Sequence, residues 1–338
     1  MATLADVARR AGVSPATASR VINGSSKPVA DELRERVLRA VADLRYVPNA
    51  HAQLLARPQR SVVGVVVHDV SDPYFAEVTR GLQRVATERG RLLIICNSYR
   101  DPVRELEYVE LLRGQQVAAI VLAGSGYHDT AFTTLLNEKL AAYEATGGRV
   151  AVIGRHDHFG DAVMPANATG GELIGRELLR LRHRRVGVIA GPRVLTTITD
   201  RLTGLRRALA EQGVELPEER IRFADFDRDG GARATAELLE TNPAPTAIVA
   251  LNDSMAVGAL ALLRARGVRV PQDVSVLGFD DMPIAADVTP ALTTVRLPLV
   301  ELGVRAMTLA LDPASGRPRV ETLPAELVRR GSTGPAPG

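Results

Sequence analysis

The chain has 338 residues, 46% of them hydrophobic and 24% charged, a composition typical of a folded globular protein long enough for more than one core. The single cysteine, Cys96, excludes an intrachain disulfide framework and a CxxC metal site, and we expect no metal and no cofactor. We find neither an apolar run of the roughly 18 residues that span a bilayer nor a signal-peptide pattern. We therefore expect a cytoplasmic protein without a membrane partner.

The net charge of +3 is unevenly distributed along the chain. Residues 1–60 contain ten Arg and Lys against five Asp and Glu, which gives them +5 and leaves −2 for the rest. A basic head on a faintly acidic body suits a domain that meets nucleic-acid phosphates. An ordinary solvated, arginine-rich surface is the alternative interpretation.

The first predicted elements are three short helices within residues 1–47. Thr3 and Asp6 form a capping-box pattern before a first amphipathic helix, and Gly12 then permits a tight turn. Ser14 and Pro15 suit the N-cap and the first position of a second helix, and a third helix is predicted over about 31–44. This order predicts a helix-turn-helix. A three-helix bundle that binds another protein is the alternative.

In a helix-turn-helix, the second helix lies in the major groove of DNA with its first residues against base edges. Small side chains at Pro15, Ala16 and Thr17 favour a close approach, and Arg20 suits a bidentate contact with guanine. Hydroxyls at Ser14, Thr17 and Ser19 suit contacts with phosphates.

Residues 61–330 alternate apolar runs with amphipathic helical stretches. The predicted strands are 62–67, 92–96, 118–122, 150–153, 186–189, 247–250 and 274–277, and helices are predicted between them at 75–88, 172–181 and 255–265. Continuous apolar strands separated by helices predict βαβ units and parallel sheets, and the length allows two doubly wound sheets.

Several polar residues follow these strands, where ligands bind in open α/β sheets. Asp280 follows strand 274–277, Asn252 follows 247–250, and Asp72 and Tyr74 follow 62–67 after a short loop. Each has a plainer interpretation as a turn, cap or packing residue. Gly124-Ser125-Gly126 lacks the third glycine of a dinucleotide-binding loop and the Lys-Ser/Thr of a P-loop. His156 with His158 is more typical of a solvated loop than of a metal site.

Runs of residues across the whole chain resemble the LacI/GalR family of transcription regulators. In the head and the segment after it these are 4–8, 11–14, 17–24, 46–49 and 52–56, and in the core they are 72–75, 183–186, 201–204, 252–253, 274–281 and 290–295. The more than twenty matched positions at the start are far more specific than a bare helix-turn-helix pattern.

The resemblance implies an all-α helix-turn-helix head with a hinge helix, and an α/β core of two doubly wound parallel-sheet subdomains like those of periplasmic binding proteins. The expected boundaries are 1–47 for the head, 48–60 for the hinge and linker, and 61–330 for the core. The first lobe is placed at about 61–161 and 292–320, the second at about 162–291 and 321–330, and 331–338 is expected to be a disordered tail.

The resemblance also implies a function. We expect a homodimeric repressor, not an enzyme, that binds a pseudo-palindromic operator on double-stranded DNA and senses a sugar or sugar derivative between its lobes. Asn23 and Asn49 are further DNA-binding positions, and Leu55 matches a leucine that wedges into a central base step. A cytoplasmic sugar-binding protein or sugar-handling enzyme, whose basic head has another role, is the alternative.

By family position, Arg201, Asn252 and Asp280 match polar ligand contacts, and a bidentate arginine beside an acid and an amide suits vicinal hydroxyls. Asp72 completes the polar set, and Tyr74 or Phe226 can stack on a sugar face. The sequence departs from the family where Gly154 and Ala166 replace frequent acids. A sugar bound through the acid at position 154 is therefore in doubt.

Overall fold

A computed structural model describes residues 2–23, 29–46, 62–157 and 160–337. The chain divides into two compact units between residues 61 and 62. The first is the helical head and the second is the α/β core, and each is described by itself below.

The head contains helices α1 (Leu4–Ala11), α2 (Pro15–Asn23) and α3 (Asp31–Asp43). The predicted capping box is confirmed, because the Thr3 hydroxyl accepts from the Asp6 amide while the Asp6 carboxylate accepts from the Thr3 amide. Small apolar side chains of the three helices form one core, made of Val7, Ala8, Ala11, Ala18, Val37 and Ala40.

The turn between α1 and α2 requires a glycine. Gly12 adopts a left-handed φ of 63°, and the guanidinium of Arg36 donates to the carbonyls of Ala11 and Gly12 at 2.6 and 3.3 Å. A side chain at position 12 would collide with that guanidinium. The turn therefore fixes the angle between the two helices.

The core contains two six-stranded sheets. The strands are β1 (Val62–Val67), β2 (Leu92–Asn97), β3 (Ala119–Ala123), β4 (Arg149–Ile153), β5 (Asp161–Pro165), β6 (Val186–Ala190), β7 (Ile221–Phe223), β8 (Ala247–Ala250), β9 (Ser275–Asp280), β10 (Thr293–Arg296), β11 (Val320–Leu323) and β12 (Glu326–Val328). The sheet orders are β11-β5-β4-β3-β1-β2 and β12-β10-β9-β8-β6-β7. Every pairing is parallel except that of β10 with β12, which is antiparallel.

Helices cover both sheets. They are α4 (Pro73–Glu88), α5 (Pro102–Gly114), α6 (Thr130–Ala145), α7 (Asn167–Arg180), α8 (Thr196–Ala210), α9 (Arg228–Leu239), α10 (Asp253–Ala265), the short α11 (Ile284–Asp287) and α12 (Leu299–Leu311), with a 3₁₀ turn at Glu218–Arg220. Side-chain caps begin several of them, from Asp72, Asp101, Asp129, Asp227 and Asn252. None of the described helices is long and apolar enough to cross a membrane.

The lobe boundaries differ from the predicted ones. β5 and β11 belong to the sheet of the first lobe, whereas β10 belongs to the sheet of the second. The chain therefore crosses between the lobes at about 165–167, 296–299 and 323–326. These short strands join a sheet through backbone hydrogen bonds to distant strands, and the local sequence does not reveal which sheet that is.

The expectation of a disordered tail after residue 330 was wrong. Ser332 is fully buried, where its hydroxyl donates to the Val276 carbonyl at 2.6 Å and accepts from the Thr293 amide at 2.8 Å. Further on, the Gly334 carbonyl meets His183 and the Ala336 amide donates to the Leu181 carbonyl. A polar, proline- and glycine-rich segment is thus held by hydrogen bonds to the second lobe, which composition does not reveal.

Candidate functional site

The head exposes one face of α2. Ser14, Pro15, Ala16 and Arg20 are exposed, whereas Ala18 points into the head core. Thr17 and Ser19 are partly exposed on the same helix, and the Ser14 hydroxyl accepts from the Thr17 amide at 3.1 Å, which caps the helix. Asn49, Leu55 and the side chain of Asn23 lie outside the described residues, so their roles stay predictions.

A cavity lies between the two lobes of the core. Counting the solvent-filled mouth, the empty space between its lining atoms is about 420 Å³. Its lining residues are His68, Asp72, Tyr74, Phe75, Arg100, Gly124 and Ser125 from the first lobe and Leu195, Thr197, Arg201, Phe226, Asn252 and Asp280 from the second. All six residues that the sequence analysis predicts to bind a ligand therefore line the same cavity.

The carboxyl ends of parallel strands place most of these residues. His68 directly follows β1, Ser125 follows β3, and Asp280 ends β9. Asn252 has two roles. Its side chain lines the cavity, and its side-chain oxygen caps α10 by accepting from the Met255 amide at 2.8 Å. The plain interpretation of Asn252 as a cap is thus correct without removing it from the cavity.

Arg201 is the best-anchored polar side chain of the cavity. It is 3% exposed, and its Nε donates to Asn167 Oδ1 at 3.0 Å while an Nη donates to Asp280 Oδ1 at 2.8 Å. Its other Nη donates to the Leu251 carbonyl, and the guanidinium lies 3.8 Å from the centre of the Phe279 ring. Because these contacts hold the planar guanidinium of Arg201 in place, they also fix the directions of its remaining N–H groups.

Burial dominates the electrostatics of the cavity. It raises the pKa of Asp280 to about 7, against the opposing effect of Arg201, and it also raises the pKa of Asp72. Burial, reinforced by the positive charge of Arg100, lowers the pKa of His68 well below its usual value, so His68 is neutral at pH 7. The acids of the cavity are thus more easily protonated than exposed ones.

Hydrogen bonds join the two lobes beside the cavity. Ser125 Oγ donates to Thr197 Oγ1 at 2.8 Å, and both residues also line the cavity. Next to them, Arg155 pairs with Asp200 at 2.8 Å, and His128 Nε2 lies 2.7 Å from Thr199 Oγ1. A molecule that shifts Ser125 or Thr197 therefore acts directly on contacts between the lobes.

Comparison with known families matches both units of the chain. Residues 3–49 match the model "Bacterial regulatory proteins, lacI family", and residues 176–333 match "Periplasmic binding protein-like domain". The HTH-type transcriptional regulator GalR of Escherichia coli (strain K12) is 37% identical over 339 residues, which cover 98% of this chain and 96% of that protein. The chain belongs to the LacI family of bacterial regulatory proteins.

Solved structures of the LacI family have the same fold. A complex of the transcriptional regulator CelR with cellobiose aligns with a TM-score of 0.72 at 32% identity, covering 98% of this chain and 100% of that one. The Lac repressor dimer bound to operator and the anti-inducer ONPF aligns with a TM-score of 0.85 at 27% identity, covering 98% and 99%. The curated relatives are transcription regulators and not enzymes.

This LacI-family chain has no room for an acid at position 154. Gly154 adopts a left-handed φ of 92°, and a Cβ built on it would collide with the Gly124 carbonyl. The neighbouring His156 is 6% exposed, with Nε2 at 3.2 Å from the Gly124 carbonyl oxygen, so its interpretation as a solvated loop residue was wrong. Close packing of two loops occupies the space that such an acid would need.

Sequence reasoning missed four polar members of the cavity in this LacI-family core, namely His68, Arg100, Ser125 and Thr197. The rule that ligands meet the ends of strands would have found His68 and Ser125, which follow predicted strands. Arg100 and Thr197 depend on how a loop and a helix start are directed, which only the fold sets. Among the described residues, no group of three His, Cys, Asp or Glu could hold a metal ion.

Proposed function

We propose that the protein is a cytoplasmic, ligand-responsive repressor that reads operator DNA with α2 and senses a sugar or sugar derivative in the cavity between its lobes. One observation carries the proposal: an exposed DNA-reading helix face and a cavity lined by polar, charged and aromatic groups occur in one chain of the LacI family. The cellobiose and ribose complexes of related regulators support a carbohydrate as the ligand class.

The cavity chemistry also supports a carbohydrate. Carboxylate and amide oxygens at Asp72, Asn252 and Asp280 accept hydrogen bonds from hydroxyls, and Arg201 offers paired donors to vicinal oxygens. The rings of Tyr74 and Phe226 supply apolar faces for the C–H side of a sugar. Such a mixture of donors, acceptors and aromatic faces suits a polyhydroxylated ring.

An exposed apolar edge supports a homodimer. β2 is the last strand of its sheet, and its Leu92, Ile94 and Ile95 are exposed, as are Val103 and Leu111 of α5. An unpaired apolar strand edge is an association surface. A second copy that covers it with twofold symmetry would present two heads to the half-sites of a pseudo-palindromic operator.

The contacts between the lobes suggest how ligand and DNA are coupled. A ligand that binds Ser125 or Thr197 changes the same groups that hydrogen-bond one lobe to the other. The first lobe follows the hinge in the sequence, so a changed lobe arrangement in a dimer alters the spacing at which two heads reach DNA. Ligand and operator thereby bias the same conformational equilibrium.

The experiment is selection of DNA by the full chain from a random duplex pool, followed by titration of the selected site and its single-base variants. Because Arg20 is exposed on α2 and suits a guanine edge, Arg20→Ala should cost about 1–3 kcal/mol and relax base preference at one position per half-site. Arg39→Ala is the matched control, an exposed head arginine on α3 that should affect all sequences equally. Unchanged base preference in Arg20→Ala would remove Arg20 from this role.

A further inference from the structure

Arg100 is held at the cavity by an unusual loop. Tyr99 and Arg100, which follow β2 after Ser98, have left-handed φ angles of 53° and 60°, which non-glycine residues seldom adopt. Backbone bonds fix the loop, since the Tyr99 amide donates to the His68 carbonyl at 2.7 Å and the Asp101 amide donates to the Ser98 carbonyl at 3.0 Å. The Tyr99 side chain points outward, 57% exposed, while Arg100 lines the cavity. Such local strain is typical of functional sites.

Among the described residues, Arg100 forms a long ion pair with Asp72 but no hydrogen bond. Its Nε is buried with no partner among the described residues, and Asp72 Oδ2 lies 3.7 Å from an Nη, beyond hydrogen-bond distance. The guanidinium lies 5.1 Å from the centre of the Phe226 ring, which belongs to the opposite lobe. Arg201 differs, because its Nε and both Nη atoms each donate to a protein group, which leaves one N–H on each Nη for a ligand. Of these two cavity cations, Arg100 is thus the one whose donors are least occupied by protein groups.

The charges around Arg100 favour an anionic partner. Burial raises the pKa of Asp280 to about 7, so Asp280 is partly protonated at pH 7 and repels a neighbouring anion less than an exposed carboxylate would. Three further acids lie on the surface beside Arg100, and each has a protein partner. Asp69 accepts from the Ser71 amide, Asp227 accepts from the Gly230 amide, and Asp225 faces Arg233.

We propose that the ligand is a monosaccharide carrying one anionic group, a carboxylate or a phosphate, and that Arg100 binds this group through paired hydrogen bonds. The sugar hydroxyls then face Asp280 and Asn252, while Phe226 covers the ring beside the guanidinium. The inference rests on the proposed sensing function and narrows its ligand class. Arg100 is the residue that distinguishes an acidic sugar from its neutral parent.

The test compares matched sugars on the full chain by isothermal titration calorimetry. The panel is glucose and galactose, their uronates, and their 6-phosphates. An acidic member should bind at least about tenfold more tightly than its neutral parent, because a charge-assisted bidentate pair is added. A uronate preference assigns the anion as carboxylate, and a 6-phosphate preference assigns it as phosphate. Neutral sugars that bind equally well, or no binding by any member, would overturn the inference.

Variants locate the effect at Arg100. Arg100→Gln should lower the affinity for the acidic sugar by about 10- to 100-fold and leave that for the neutral parent nearly unchanged, and Arg100→Lys should fall between. Arg104→Gln is the matched control, because Arg104 is exposed and lies over the Tyr99 ring. Melting curves without sugar verify folding.

If Arg100→Gln lowers the affinity for the acidic sugar and for its neutral parent equally, Arg100 has only a structural role. DNA titrations of the same samples separate the two proposals. If the DNA is bound specifically and a neutral sugar alters that affinity, the sensing function stands while the anionic ligand class fails.

Discussion

Glu105 provides a quantitative test of the electrostatics beneath the cavity. It lies on α5 and is 2% exposed, and its Oε2 has no partner among the described residues. Burial raises its pKa from 4.5 to about 7. The folded state therefore keeps a proton that the unfolded state loses above pH 4.5, so this residue makes stability fall as the pH rises towards 7.

Glu105→Gln removes this titration. Raising a carboxyl pKa from 4.5 to about 7 corresponds to about 3 kcal/mol, most of it developed between pH 5 and pH 8. Relative to the unmodified chain, the variant should therefore gain about 2–3 kcal/mol in free energy of unfolding from pH 5 to pH 8. Comparing this change, rather than absolute values, cancels any constant cost of burying the amide.

Urea unfolding at pH 5, 6, 7 and 8 measures the difference. Near-ultraviolet circular dichroism reports mainly on the core, because five of the six tyrosines lie there, Tyr46 alone lies in the head, and the sequence has no tryptophan. Glu107→Gln, an exposed position on the same helix, is the matched control. Parallel pH curves for the unmodified chain and Glu105→Gln would refute the reasoning.

Two further predictions concern the second lobe, and a comparison variant lies in the first. Ser332→Ala should cost about 1–3 kcal/mol of core stability, because the buried Val276 carbonyl and Thr293 amide lose the hydroxyl that they contact. Unchanged urea unfolding of this variant would indicate that the tail is disordered after all. Gly204→Ala should cost about 1–3 kcal/mol or more, because its Cβ would collide with the Ala168 carbonyl where α7 and α8 pack. Gly114→Ala, in a helix with nothing within 4 Å of its Cβ, should instead stabilise by up to about 1 kcal/mol; equal melting temperatures for the two variants would contradict this packing.

Patterns with local physical causes were predictable from the sequence. The apolar runs that became β1 and β8 have the predicted bounds, and the capping box of α1 follows from the identities of Thr3 and Asp6. Asp72 and Asn252 each cap a helix and reach the cavity, because in this fold helix starts surround the strand ends.

Features that depend on distant pairing were not predictable. Thr293 begins a strand of the second sheet, and Val320 begins one of the first, through backbone bonds to residues far away in the chain. Ser332 is ordered because it fits between Val276 and Thr293. Arg100 reaches the cavity because of two left-handed backbone angles that its sequence does not require.

Coupling between the cavity and the DNA-binding head is the central claim, and one titration tests it most directly. The selected operator is titrated with the full chain, with and without a saturating concentration of a sugar shown by calorimetry to bind the core. We expect operator affinity to change by at least about fivefold, and sugar affinity to change by the same factor when operator is present. Asp280→Asn should abolish this response and retain operator binding without sugar. A sugar that saturates the cavity and leaves operator affinity unchanged would contradict the claim.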